Sequence, residues 1–115
     1  MFEPMGTAEV KINTLILSLN DHLHTATLLG DNYPNPFNGE TTIPYVIGEQ
    51  TTVDISIYDM IGQKLNTLVH GSLQPGSYKT VWKANDNNSN RVNPGIYFCK
   101  MFAGDKAFVK LMIVQ

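Results

Sequence analysis

The sequence predicts an all-β fold, a β-sandwich of about seven to eight mostly antiparallel strands, on three observations. From residue 41 onward, apolar residues alternate with polar ones over short runs. Glycines, prolines and asparagines suited to turns fall between those runs. The runs recur at roughly 8–12-residue intervals, the spacing of a two-sheet all-β domain.

Each element has its own warrant. Thr41-Thr42-Ile43-Pro44-Tyr45-Val46-Ile47 is rich in residues that suit a pleated strand. Pro44 has no N–H to give a ladder, so this strand is expected at a sheet edge or with a bulge at that point. Val53, Ile55 and Ile57 alternate with Asp54, Ser56 and Tyr58, which predicts a half-buried strand with one wet face. Residues 64–70 continue the pattern more weakly. Ser77-Tyr78-Lys79-Thr80-Val81-Trp82 places the only tryptophan on a strand, where it belongs in or near the core.

Residues 95–102 and 107–114 are the last two strands, joined by Ala103-Gly104-Asp105-Lys106 as a short hairpin connection. Asn38-Gly39, Ile61-Gly62, Pro75-Gly76 and Asn93-Pro94-Gly95 punctuate the earlier boundaries. The polar stretch over residues 84–91 is expected to be a solvated loop with nothing to bury. In residues 1–27, Ile12, Leu15, Ile16, Leu19 and Leu23 fit helical spacing, yet β-branched residues are frequent and no cap is convincing. A strand over about residues 9–19 is expected, or else the tail of a preceding domain or linker. Residues 25–29 are then the first strand of the sandwich, which makes residues 28–115 the domain proper.

Composition narrows the function. The chain has 115 residues, 43% of them hydrophobic, which suits one domain with a modest core. Eight Lys and Arg stand against ten Asp and Glu, so the net charge of −2 gives no basic field for a nucleic-acid partner. The single cysteine, Cys99, is expected to be a small buried hydrophobe on a strand. Glu3 stands where a signal peptide needs a base, and no apolar stretch follows at the right place. Export across an inner membrane would therefore use a signal upstream, and the chain reads as a piece of a longer protein.

His22 and His24 would share one face of a strand but have no third ligand near them in sequence. Asp86 among Asn85, Asn87, Asn88 and Asn90 has hard-oxygen character without the charge count of a calcium loop. Asp31, Asn35 and Asp59 are a candidate calcium set only if the fold brings them together. Cys99 has no histidine shown to approach it, the acids form no recognisable pair, and the glycines sit singly in turns. No catalytic, cofactor or metal residues are therefore assigned, and the chain is not expected to be an enzyme.

Three blocks, in order, carry a resemblance. The first is Leu29-Gly30-Asp31-Asn32-Tyr33-Pro34-Asn35-Pro36-Phe37-Asn38, followed by Thr41-Thr42-Ile43. The second is Val53-Asp54-Ile55-Ser56-Ile57-Tyr58-Asp59-Met60-Ile61-Gly62-Gln63-Lys64, with Leu68, Val69, Gly76 and Trp82 beyond it. The third is Gly95-Ile96-Tyr97-Phe98, with Lys110 near the end. Together they resemble the C-terminal sorting domain of type IX secretion substrates, a family related to the immunoglobulin-like domain of flagellar hook-capping proteins. Gly39 stands where the family often has proline, and the chain ends on Val114-Gln115 rather than on a basic residue.

The resemblance implies an immunoglobulin-like sandwich at the end of a larger secreted protein. It implies outer-membrane secretion machinery and a surface sorting peptidase as partners, and a cargo domain upstream. It also implies transit through the periplasm to the cell surface or the medium. The residues it singles out are Asn32, Tyr33, Pro34, Asn35, Pro36, Phe37, Tyr58, Asp59, Gly62, Gly95, Tyr97 and Lys110.

Those residues also have bottom-up expectations. Pro34 and Pro36 stiffen their segment and keep it out of a central sheet. Asn35 is expected to satisfy local backbone groups, with Tyr33 and Phe37 plugging one end of the sandwich. Gly62 suits a φ > 0 position in a hairpin that Asp59 helps to close. Gly95 starts a strand after Pro94, and Lys106 and Lys110 guard an edge or sit on a wet export-signal face. Two other roles stay open: a structural assembly domain of the hook-cap type, and a carbohydrate-binding module using Tyr45, Tyr58, Tyr78 or Tyr97. Edge strands also permit a homodimer.

Overall fold

The computed structural model describes residues 26–115. Seven strands follow one another: β1 (Leu28–Leu29), β2 (Thr41–Ile47), β3 (Thr51–Tyr58), β4 (Lys64–Leu73), β5 (Gly76–Trp82), β6 (Gly95–Ala103) and β7 (Lys106–Val114). They form a three-stranded sheet in the order β1-β2-β5 and a four-stranded sheet in the order β4-β3-β6-β7. Every strand pair is antiparallel. The result is the immunoglobulin-like sandwich that the sequence predicts. The expected strand over residues 9–19 lies outside the described residues, as do His22 and His24. β1 falls within the alternative over residues 25–29.

The core follows from the period of two. Ile43, Tyr45 and Ile47 of β2 point inward, and so do Val53, Ile55 and Ile57 of β3. Tyr97, Cys99 and Met101 of β6, Met112 and Val114 of β7, and Trp82 at the end of β5 complete the inner layer. Each large side chain removed from water contributes about 1.5–3 kcal/mol, which together offsets the ordering entropy of the strands. Cys99 is buried as expected, and desolvation pushes its thiol up from 9.0 to about 12.

Three expectations need correction. Pro44 lies in a strand with neighbours on both sides and no register shift against β5. Its carbonyl accepts the Gly30 N–H at 2.8 Å, so its N–H-less side faces β1, which covers only Tyr45 and Val46. The proline therefore costs no bond to β5. Ser56, placed on the wet face, is fully buried, and its hydroxyl donates to Asp54 Oδ1 at 2.7 Å. Residues 84–91 do bury something: Ala84 is fully enclosed, and the Asn85 carbonyl accepts the Trp82 indole N–H at 2.8 Å. An inward tryptophan must find an acceptor, and the loop supplies it.

The faintness of β4 in the sequence has a physical cause. Its pairing with β3 shifts register between Ile55 and Ser56 and again between Ile57 and Tyr58. Leu65 and Leu68 are left with no opposite residue, so bulges break the alternation.

Candidate functional site

The first motif block begins where β1 ends. A Cβ on Gly30 would lie 2.9 Å from Pro44 Cγ and 3.1 Å from its carbonyl oxygen, so the close crossing of the two chains needs glycine. The next residues form a knot. Asn32 is buried, and its Nδ2 donates to Thr41 Oγ1 at 2.9 Å and to the Pro34 carbonyl at 3.4 Å. The Thr41 hydroxyl in turn donates to the Pro34 carbonyl at 2.8 Å. Tyr33 and Thr42 exchange backbone hydrogen bonds of 2.9 Å in both directions. The Tyr33-Pro34 and Asn35-Pro36 peptide bonds are both cis.

From the knot the chain crosses to the other sheet. Asn35 Nδ2 donates to the Leu111 carbonyl at 3.2 Å, and Asn35 Oδ1 accepts the Ile113 N–H at 2.9 Å. The amide thus behaves as a one-residue strand laid against the edge of β7. Phe37 continues it: its N–H donates to the Ile113 carbonyl at 3.0 Å, and its carbonyl accepts the Gln115 N–H at 2.9 Å. The Phe37 ring is 1% exposed and meets Trp82 edge-on, with centroids 5.7 Å apart and planes at 63°. Trp82 meets Tyr97 the same way at 5.5 Å and 66°. Lys110 Nζ lies 3.0 Å from Asp31 Oδ1, adding an ion pair between the block and the strand it clamps.

Two expectations about this block change. Asn35 serves the distant strand β7 rather than local backbone, because the two flanking prolines carry it across to a sheet edge with open bonding groups. Phe37 plugs the sandwich, but Tyr33 is 48% exposed and does not. Its backbone bridge to Thr42 keeps its side chain outside.

The second block is a turn. Tyr58 is half-buried at the end of β3, with Lys100 Nζ 4.6 Å from its ring centroid. Asp59 Oδ1 accepts the N–H groups of Ile61 at 3.0 Å and Gln63 at 2.9 Å, and Gly62 adopts φ 87° as expected. Met60 and Ile61 at the tip are 67% and 86% exposed. In the third block, Gly95 opens β6 opposite Val114. Tyr97 is buried two residues on, and its hydroxyl donates to the Asn93 carbonyl at 2.5 Å. Burial, then the nearby Asp59 charge, push the Tyr97 phenol up.

The three blocks meet at one end of the sandwich. Asp59, Met60 and Ile61 line a shallow depression of about 290 Å³ with Pro94, Gly95 and Tyr97. Val114, opposite Gly95, bridges to Phe37. The arrangement is a rigid scaffold holding exposed groups: Tyr33, Pro34, Pro36, Met60 and Ile61. Its chemistry is that of recognition. Among the described residues no three His, Cys, Asp or Glu side chains are grouped to hold a metal ion. Asp31 pairs with Lys110, and Asp59 Oδ1 caps backbone amides of its own turn, so each acid of the candidate calcium set has a partner within the fold.

Sequence reading missed Asp31 and Thr41 as parts of this site. Both lie inside the quoted block, but a charge partner 79 positions away and a buried hydroxyl knot leave no pattern in sequence. The indole acceptor Asn85 was missed for the same reason.

Comparisons with known proteins agree with this architecture. No curated protein matches the chain. The crystal structure of dimeric latent PorU from Porphyromonas gingivalis superposes with a TM-score of 0.64 at 17% identity, covering 78% of this chain and 9% of that one. PorZ, an essential bacterial surface component of the type-IX secretion system of the same bacterium, superposes with a TM-score of 0.51 at 22% identity. That match covers 78% of this chain and 11% of PorZ. The chain thus spans about a tenth of the length of either, and both likenesses establish the fold. The family model described as the secretion system C-terminal sorting domain matches residues 31–115, from the acid that pairs with Lys110 to the last residue of the chain. By that match, and by the three motif blocks that anticipated it, this chain belongs to the secretion system C-terminal sorting domain family.

Proposed function

We propose that residues 28–115 are a non-catalytic module by which the type IX secretion system recognises a larger protein and carries it from the periplasm through the outer membrane. Membership in the family entails a secreted cargo chain, secretion machinery and a destination at the cell surface or beyond. Residues 1–27 then serve as the tail of the preceding domain or as linker. A surface sorting peptidase cuts there, and the cargo is anchored or released.

One observation supports this reading above others. The motif residues gather at one end of the sandwich, where Asn35 and Phe37 lock the last strand, Asn32 braces the turn before them, and Tyr33, Pro34, Pro36, Met60 and Ile61 stay open. A receptor needs such a division between scaffold and exposed contact. A sugar-binding role has less support, because Tyr45 and Tyr97 are buried and Tyr78 stacks on Tyr45 at 5.4 Å.

The test places the whole chain behind a signal peptide and a fluorescent reporter in a bacterium with a type IX system. One comparison fusion lacks residues 107–115, and another carries Tyr33→Ala with Met60→Ser, exposed changes that leave the core intact. The intact fusion alone is expected at the surface or in the medium. A folded, intact domain whose reporter stays periplasmic would overturn the reading.

A further inference from the structure

The last strand offers a second surface, on its outer edge. The bonds made by Leu111 C=O, Ile113 N–H and C=O, and Gln115 N–H run to residues 35–37, so the odd-numbered residues of β7 face away from β6. By the same alternation Ala107 and Val109 present N–H and C=O to the outside, and Leu111 presents its N–H. Among the described residues nothing bonds to these groups. The opposite edge of this sheet, β4, is broken by two register shifts, whereas β7 runs in unbroken register from Lys106 to Val114. A regular, open edge of this kind is a template for another strand.

We infer that this edge pairs with a second copy of itself, β7 against β7, antiparallel about a two-fold axis at Val109. The open segment is self-complementary. With Val109 opposite Val109, Ala107 of each copy falls opposite Leu111 of the other. About six hydrogen bonds then close every open group, with the Leu111 carbonyl using its second lone pair. Sliding the second strand two residues toward the C-terminus of β7 would drive it into Asn35 and Phe37, so the plug sets the register.

Side chains and charge fit the same arrangement. Val109 and Leu111 are 54% and 47% exposed, and they continue an exposed apolar strip through Ile113 and, on β6, Phe102 and Ile96. Pairing extends that strip across the axis into one continuous face. On the other face, Lys106 of one copy lies diagonal to Lys110 of the second, about two residues along the strand. Asp31, which binds Lys110, keeps its side chain 87% exposed. It can take Lys106 of the second copy as well, so the lysines that would repel each other share an acid. This pairing stands independently of the export reading.

Sedimentation equilibrium of the 115-residue chain, from about 1 μM to 1 mM, is the test. A monomer–dimer equilibrium is expected. Val109→Pro, whose lost N–H makes no bond to β6, and Val109→Lys are each expected to raise the dissociation constant at least about 100-fold. Asp31→Ala should raise it about threefold and remove its salt dependence. Val109→Cys is expected to give a disulfide-linked dimer on mild oxidation, since facing Cα atoms would lie about 5.5 Å apart. Ile113→Cys, beneath the plug, should stay monomeric. A chain that is monomeric throughout, or a dimer that neither Val109 change weakens, would sink the inference.

Discussion

The two flanks of the four-stranded sheet are closed by the same residue type used in different ways. At β7, Asn35 and Phe37 lie along the edge as a short extra strand, taking Leu111 C=O, both groups of Ile113 and Gln115 N–H. At β4, the 84–91 loop does the work: Asn87 donates its N–H to the Leu65 carbonyl at 3.0 Å, and its Oδ1 accepts the Thr67 N–H at 3.3 Å. Asn66 Nδ2 also reaches the Asn85 carbonyl at 2.9 Å. Both plugs use an asparagine: Asn35 pairs through its amide donor and acceptor together, Asn87 through its backbone N–H and its amide oxygen. Both are tied to Trp82, one through the Phe37 ring and one through the indole N–H. The difference lies in regularity: the β4 plug sits at the two bulges, Leu65 and Leu68, while the β7 plug closes the end of a strand that stays in register throughout.

The comparison breaks most visibly at the aromatic anchor. Phe37→Ala should cost about 3–5 kcal/mol in urea unfolding followed by far-UV circular dichroism, because it leaves a cavity against the indole. Trp82→Phe should cost less, about 1–3 kcal/mol, since it keeps most of the volume and loses the bond to the β4 plug. Equal losses would mean the two plugs are not separately anchored.

Alkaline pH weakens the β7 side through Cys99, which lies opposite Lys110. The folded thiol titrates near 12 and the unfolded one near 9.0, so above 9.0 the unfolded chain releases a proton that the folded chain retains. Stability is then lost at up to about 1.4 kcal/mol per pH unit until the folded value is reached. Cys99→Ala should flatten that slope when unfolding is measured between pH 8 and 11. Tyr45 and Tyr97, also raised by burial, act in the same direction and leave a residual slope.

Asn35→Ala and Asn66→Ala should each cost about 1–2 kcal/mol, and their effects should add, since they sit on opposite edges. Thiol labelling separates the flanks. Asn35→Ala should speed the reaction of Cys99, whereas Asn66→Ala should leave it unchanged at equal global stability. Smallest is the ion pair. Lys110→Ala should change stability by no more than about 0.5 kcal/mol, because Asp31 is well exposed, and the change should vanish in high salt.

Five of the seven strands, β2, β3, β5, β6 and β7, were legible in sequence because inward and outward residues alternate at the pitch of the pleat, and two-residue β1 fell only within an alternative. β4 was legible only in part, since Leu65 and Leu68 are bulged and break that period. The glycines at 62 and 95 were legible because positive φ leaves few alternatives to glycine. Among the candidate site residues, Phe37, Asp59 and Gly62 do what local reasoning expects of them. Asn35 and Tyr33 do not, because local reasoning has no access to a strand edge more than 70 residues away.

By itself, then, the sequence determined the strand set, the inward-facing core and the order of the motif blocks, since each depends on residues that are neighbours in the chain. Only the tertiary structure decided which edges are plugged, that Asp31 meets Lys110, and that residues 107–111 stay open among the described residues. Those outcomes depend on how two sheets are stacked and which distant amide reaches which free carbonyl, and no periodicity along the chain encodes that.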